Sequence, residues 1–96
     1  MRLCELLEDA AAVMPATQEN INKGAVILSV TDDSNRVKPG CLFVCVKGNS
    51  FDGHDFAESA LSKGAECVVT ERDLGISNQI IVSDSRKFYG LLCAAF

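Results

Sequence analysis

The chain has 96 residues, of which 48% are hydrophobic, and this is enough for one small domain with a packed core. Its formal net charge of −4 and its lack of a basic cluster argue against nucleic-acid binding. No apolar run reaches the roughly 18 residues of a membrane span, and acidic residues interrupt the first apolar segment, so we expect a cytoplasmic protein without a signal peptide or a membrane partner.

The five cysteines are odd in number and include no CxxC pair: Cys4, Cys41, Cys45, Cys67 and Cys93. With a single histidine in the chain, no zinc pattern is present and we assign no metal site. Most of the cysteines lie in apolar segments, which predicts buried thiols in a reducing compartment. A thiol redox protein is the alternative interpretation.

The first half of the chain predicts one helix and two strands. Apolar residues recur at helical spacing from 2 to 13, and Pro15 prevents the helix from continuing far. Residues 16–24 are polar and predict a linker. AVILSV at 25–30 predicts a strand, and CLFVCV at 41–46 is apolar throughout, which is typical of a strand covered on both faces.

A second helix is predicted from His54 onward. Asp55 is placed to cap it, Glu58 three residues later would complete a capping box, and Gly64 would end the helix.

The remaining segments predict strands at 66–71 and 79–83, followed by a last helix that Ser83 or Asp84 would cap. Helices interleaved with buried strands favour an α/β fold. We therefore predict a three-layer α/β/α domain with a largely parallel or mixed sheet of about four strands.

Two polar loops follow the first two predicted strands: TDDSNRVKPG at 31–40 and KGNSFDGHD at 47–55. Loops at the carboxyl ends of parallel strands converge on a crevice where small ligands bind. A uracil ring offers two carbonyl acceptors and one N–H donor, and the side chains with matching chemistry are Ser34, Asn49 and Ser50. The residues suited to support a diphosphate, by charge or by close backbone approach, are Arg36, Lys47 and Gly48.

The same loops also have a purely structural interpretation. Asp33 is suited to cap a turn, Pro39-Gly40 is a common turn pair, and His54 is interpreted as helix-start polarity. The patterns GxxxxGK[ST], GxGxxG and HExxH do not occur in the 96 residues, so we assign no catalytic residue.

Three stretches taken together resemble the Mur ligases of peptidoglycan synthesis. They are TDDSNRVKPGCLFV, KGNSFDGHDFAESALSKGAECVVTE and VSDSRKFYGLLCAAF, and the resemblance covers about residues 25–96. Within the family it is greatest to the MurE type, judged by the DSRK-to-LLCAAF tail and the RLCELL opening. MurE-type ligases add the third amino acid, lysine or meso-diaminopimelate, to UDP-N-acetylmuramoyl-L-alanyl-D-glutamate.

The resemblance implies a single N-terminal UDP-binding domain at 1–96, cut from a longer ligase, with a helix and linker at 1–24 and a Mur ligase-like α/β core at 25–96. The UDP contacts that it implies are Asp32, Ser34, Asn49, Ser50 and Phe51. The chain departs from the family pattern because DSR reads DSN here, PGD reads PGC, and position 32 is acidic where an apolar residue is common. We expect Asp32 to act through its backbone, with its side chain turned outward.

The chemistry that the resemblance implies belongs to the parent protein, an ATP-dependent amide-bond ligase that uses ATP and Mg²⁺ to form and consume an acyl phosphate. The 96 residues hold no cofactor in this interpretation, catalyse nothing alone, and have as partners the UDP-N-acetylmuramoyl-dipeptide substrate and the downstream ATP-binding domain. The alternatives are a MurF-type N-terminal domain and a free-standing nucleotide- or protein-binding module. The reading frame beyond Phe96 distinguishes the module from a ligase.

Overall fold

A computed structural model describes residues 1–19, 21–48 and 50–96. The five strands are β1 (Ala16–Glu19), β2 (Ser29–Thr31), β3 (Cys41–Val44), β4 (Cys67–Thr70) and β5 (Gln79–Val82). The three α-helices are α1 (Leu3–Ala11), α2 (Ala57–Ser62) and α3 (Ser85–Ala95). Within these residues, none of the helices combines the length and apolar character that crossing a bilayer requires.

The strands form one mixed sheet in the order β1-β5-β4-β3-β2. The pairs β2–β3, β3–β4 and β4–β5 are parallel, and β1 pairs with β5 in the antiparallel direction. The predicted α/β fold with a largely parallel sheet is confirmed, with one strand more than the four predicted. Because β2 and β3 are neighbours, the loops that follow them leave the same end of the sheet side by side.

The additional strand lies in the segment 16–24 that was predicted to be a linker. Ala16 pairs with Val82 and Glu19 pairs with Gln79, so the segment begins as an edge strand. The prediction is wrong here because ATQE shows no apolar alternation, and an edge strand is held by backbone hydrogen bonds that side-chain patterns do not reveal. A polar edge also discourages pairing with other chains.

Helices cover the sheet on both faces, which confirms the three predicted layers. α1 and α3 pack together over one face, whose buried side chains include Leu42, Val44, Cys67, Val69 and Ile80. α2 packs on the other face, whose buried side chains include Phe43, Cys45 and Val68. Successive residues of β3 and β4 alternate between these two clusters, as the pleat of a strand requires. This explains why both strands are apolar at every position.

The last helix is capped as predicted: the Asp84 carboxylate accepts a hydrogen bond from the Lys87 amide at 3.0 Å.

The second helix begins later than predicted. A 3₁₀ turn spans Gly53–Phe56, and the α-helix starts only at Ala57. The 3₁₀ turn is capped by Asp52, whose carboxylate accepts a hydrogen bond from the His54 amide at 3.0 Å. The prediction that Asp55 caps the helix is therefore wrong, because the chain turns directly after Asp52 and the first free amide lies nearer to that side chain.

The link between β2 and β3 is unusually short. Adjacent parallel strands normally need a crossover of roughly a dozen residues or more, whereas residues 32–40 make this connection with one 3₁₀ turn, Ser34–Arg36. The link packs on the α2 face, where Val37 contacts the α2 cluster.

Two glycines hold the end of this link in place. The Gly40 amide donates to the Gly64 carbonyl at 3.2 Å, and Gly64 has a φ of +105° at the end of α2, as predicted. A Cβ at Gly64 would lie 2.9 Å from the Pro39 Cα, so only glycine allows the two turns to pack this closely.

Candidate functional site

The two polar loops meet in one cleft of about 520 Å³ on the α2 face of the sheet, which we call the loop cleft. Its lining residues are Asp32, Asp33, Ser34, Asn35, Phe43, Phe51, Gly53 and Phe56. The first four belong to the link after β2, Phe43 comes from β3, and the last three come from the segment that follows β3. The arrangement brings together Asp32, Ser34 and Phe51, three of the residues selected from the sequence.

The first loop is held by hydrogen bonds between residues that are close together in sequence. The Asp33 amide donates to the Thr31 hydroxyl at 3.0 Å, and the Asp33 carboxylate accepts from the Asn35 amide at 2.9 Å. Asp33 thus caps the 3₁₀ turn, as the structural interpretation predicted. Directly after α2, the Lys63 ammonium donates to the Ser34 carbonyl at 3.1 Å. These bonds fix the backbone of Ser34, which is one of the residues that line the cleft.

The second loop, defined here as residues 47–53, is closed by backbone bonds at both ends. Lys47 and Asp52 form an antiparallel bridge, and the Gly48 amide donates to the Phe51 carbonyl at 2.8 Å. The Gly53 amide donates to the Val46 carbonyl at 3.0 Å, and a Cβ on Gly53 would meet the Val46 amide nitrogen at 2.7 Å. Glycine at position 53 therefore lets the loop return close to the end of β3.

Aromatic rings form the apolar part of the loop cleft. Phe51 is 58% exposed, and its ring contacts that of Phe56 edge-to-face with centroids 6.2 Å apart. Phe43 contributes the floor from within the sheet. Neither Phe43 nor Phe56 is among the residues predicted from the sequence. Strand alternation was the available signal for Phe43, which faces α2, and Phe56 follows the Asp-Gly turn of the second loop.

The other predicted residues lie outside this lining. Arg36 is exposed, pairs with the Asp33 carboxylate at 3.7 Å, and borders a neighbouring cleft of about 720 Å³ together with Lys38 and Tyr89. Lys47 and Ser50 are exposed and Gly48 is half-buried, and none of these three is among the residues that line the loop cleft. Asn49 lies outside the described residues. The loop cleft thus holds carboxylates and aromatic rings, and the predicted cations lie around it.

Asp32 lies between the two clefts and is exposed. Its negative charge reaches Tyr89 on α3: burial raises the pKa of the Tyr89 hydroxyl most, a hydrogen bond with Cys93 adds to this, and the carboxylate of Asp32 adds further. That Asp32 would contact UDP through its backbone stays a prediction.

Asp52 and His54 anchor the second loop below the cleft. The Asp52 carboxylate lies 2.6 Å from the His54 Nδ1 and 3.5 Å from the Arg72 guanidinium. Hydrogen bonds from the backbone and side chain of His54 lower the pKa of Asp52 to about 2. Asp52 is therefore an anion at neutral pH.

Comparison with known proteins identifies the family. Residues 26–90 match the profile described as the Mur ligase family, catalytic domain. A UDP-N-acetylmuramoyl-L-alanyl-D-glutamate–2,6-diaminopimelate ligase of Geobacillus thermodenitrificans is 46% identical over 73% of this chain and 14% of its own length. A UDP-N-acetylmuramoyl-tripeptide–D-alanyl-D-alanine ligase of Escherichia coli is 46% identical over 69% of this chain and 15% of its own length.

Solved structures show the same fold. One crystal structure of MurF from Acinetobacter baumannii superposes on 98% of this chain with a TM-score of 0.78 and 25% sequence identity, and this chain covers 20% of the MurF chain. The chain thus spans only about a seventh of the length of the two curated relatives described above. Since the profile match extends over well more than half of the 96 residues, this chain belongs to the Mur ligase family.

Proposed function

We propose that this chain is the N-terminal domain of a peptidoglycan-precursor ligase and that its loop cleft binds the uridine end of a UDP-N-acetylmuramoyl-peptide substrate. The observation that carries the proposal is the convergence of the two polar loops on one cleft in a member of the Mur ligase family. A volume of about 520 Å³ falls within the range of small-ligand sites.

The lining of the cleft suits a nucleobase better than a phosphate. The exposed ring of Phe51, supported by Phe56, offers a face on which a flat pyrimidine can stack. The Ser34 hydroxyl can donate to or accept from the edge of uracil. Asp32 and Asp33 bring negative charge that disfavours a diphosphate inside the cleft. We therefore place the base in the cleft and the diphosphate outside it, toward the surrounding cations.

For the parent protein we propose amide-bond formation that depends on ATP and Mg²⁺, supplied by a downstream domain of the same chain, and a cytoplasmic location. The 96 residues would position the substrate, because binding its remote nucleotide holds the reacting carboxylate where the chemistry occurs. MurE-type specificity, addition of the third amino acid, is the form that we favour. MurF-type specificity is the second candidate, because the Escherichia coli relative and the solved MurF structure are equally clear matches.

Titration of the 96-residue chain with UDP, followed by ¹H–¹⁵N NMR, tests the site. We expect shifts confined to residues 32–35 and 50–56, and no matching response to ADP at equal concentration. Replacement of Ser34 by Ala should weaken UDP binding by roughly fivefold to tenfold, which is the effect of losing about one hydrogen bond. Ser62→Ala is the matched control, because Ser62 is an exposed serine at the end of α2. The absence of any shift in both loops at saturating UDP would refute the proposal.

The ligase type is tested in the intact parent enzyme. The MurE form predicts turnover of the UDP-N-acetylmuramoyl-dipeptide with a diamino acid, whereas the MurF form predicts turnover of the tripeptide substrate with D-alanyl-D-alanine. Both forms share the UDP end, so the NMR result and the specificity result are independent.

A further inference from the structure

His54 is a buried polar side chain that lies outside the lining of the loop cleft. Its side chain is 1% exposed, and both ring nitrogens have partners: Nδ1 lies 2.6 Å from the Asp52 carboxylate, and Nε2 lies 2.9 Å from the Glu71 amide nitrogen. Because a backbone N–H can only donate, Nε2 must be the unprotonated acceptor. The hydrogen of the neutral ring is therefore on Nδ1, which donates to Asp52.

This histidine joins two loops of the sheet. Asp52 closes the second loop through its bridge with Lys47, and Glu71 directly follows β4. The Glu71 carboxylate also accepts from the Ser85 amide at 2.7 Å and from the Ser85 hydroxyl at 3.2 Å. A continuous set of hydrogen bonds thus runs from the loop after β3, through the end of β4, to the start of α3.

Two arginines reinforce the same loop from outside. The Arg72 guanidinium lies 3.5 Å from the Asp52 carboxylate, and the Arg86 guanidinium donates to the Lys47 carbonyl at 3.3 Å. Both arginines are exposed, so each contact alone contributes little. His54, by contrast, is buried, and an apolar side chain in its place would leave the Glu71 amide without its acceptor.

We propose that His54 is a positioning residue, which holds the second loop against β4 and thereby fixes Phe51 in the loop cleft. The inference rests on the proposed function for its ligand, because the effect on binding is read out with UDP. His54 acts through Asp52 and the loop backbone. It is not a catalytic residue.

Two substitutions with side chains of similar size, His54→Gln and His54→Leu, distinguish a positioning role through hydrogen bonds from a role in packing alone. A glutamine side chain offers both a donor and an acceptor, so His54→Gln can keep a bond to Asp52 and a bond from the Glu71 amide, whereas His54→Leu can make neither. We expect His54→Leu to weaken UDP binding by roughly tenfold and His54→Gln to stay within about threefold of the unmodified chain. A third variant, Ile27→Val, lowers stability in the core on the opposite face and should leave UDP affinity unchanged.

Loop order is measured without any ligand. Hydrogen exchange of the Gly48 amide, which donates to the Phe51 carbonyl, should accelerate in His54→Leu and not in Ile27→Val. A long-range ¹H–¹⁵N correlation of His54 should show Nδ1 protonated and Nε2 unprotonated. Unchanged Gly48 exchange in His54→Leu, unchanged UDP affinity of that variant, or a reversed tautomer would each overturn the proposal.

Different results would refute UDP binding by the loop cleft and the positioning role of His54. If the unmodified chain does not bind UDP, the proposed function falls, and the positioning role is then decided by the Gly48 exchange and the tautomer. If UDP binds the unmodified chain and His54→Leu equally well, the positioning role falls and the proposed function stands.

Discussion

Asp52 makes three contacts that hold the end of the second loop. Its carboxylate accepts from the amide of His54 at 3.0 Å, faces the His54 ring, and pairs with Arg72. Each of these contacts favours the charged form of the carboxyl, which explains a pKa lowered to about 2 from an ordinary value of 3.8.

The lowered pKa of Asp52 predicts a specific acid sensitivity. A carboxyl whose pKa is lower in the folded state stabilises the fold fully above its unfolded pKa, and this stabilisation is lost as pH falls from about 4 to about 2. Allowing for solvent screening of a partly exposed group, we expect about 1 kcal/mol from this source. Urea unfolding measured across this pH window should show a smaller loss in Asp52→Asn than in the unmodified chain.

The asparagine variant is a fair comparison because its amide oxygen can still accept from the backbone and ring of His54. Parallel pH profiles for the two proteins would contradict the assignment. Asp73, whose pKa is lowered chiefly by a hydrogen bond from the Gly75 amide, is common to both proteins and cancels in the difference.

The sequence predicted that the two loops converge better than it predicted which residues line the cleft between them. Parallel strands predicted that the loops after β2 and β3 converge, and Ser34 and Phe51 do line one cleft. Charge alone suggested Arg36 and Lys47, but the short crossover directs Arg36 toward Asp33 and the neighbouring cleft. Where a long side chain points depends on the turn that carries it, and that turn is set by contacts with α2 which the local sequence does not contain.

At the scale of elements, apolar patterns predicted the helices and strands that are buried. They missed the edge strand, which is held by backbone hydrogen bonds. α1 and α3 follow from residues repeated at helical spacing, and β3 and β4 from unbroken apolar runs. β1 is a strand only because the edge of β5 is available to it. The shift of the second helix start from His54 to Ala57 has a similar cause, because closure of the second loop decides where the turn begins.

The strand assignment of β1 can be tested with proline. In an antiparallel edge strand, alternate N–H groups point toward the neighbouring strand and toward solvent. Of the two variants Ala16→Pro and Thr17→Pro, we expect one to lower the free energy of unfolding by about 1–2 kcal/mol and the other to have a much smaller effect. Chemical denaturation measures both. Two equally small effects would indicate a linker instead of a strand.

At the scale of the whole molecule, the burial of the cysteines shows which parts of the core are shielded from solvent. Cys41, Cys45 and Cys67 are buried, whereas Cys4 and Cys93 are exposed on α1 and α3. Burial raises the pKa of Cys45 to about 12, and it also raises the pKa of Cys41 and Cys67. All three buried thiols are thus both shielded and protonated at neutral pH, which makes them poor nucleophiles.

Alkylation under native conditions should therefore give two adducts quickly, and intact-mass spectrometry should show the remaining three only as the protein opens. Denaturing guanidinium is the control, and there all five cysteines should react. A third adduct that forms as fast as the first two would show that the sheet is not covered on both faces as described. Such a result would also revive the thiol redox interpretation.

The pairing of α1 with α3 has a consequence for how members of this family can exchange parts. The family profile begins at residue 26, yet Leu6 of α1 and Leu92 of α3 belong to one buried cluster. A chimaera that joins the opening helix of one relative to the remainder of another would therefore mismatch two surfaces that have to fit together. In a chimaera that folds well, both helices would come from the same parent. The segments that have to be exchanged together are therefore distant along the chain and adjacent only in the folded structure.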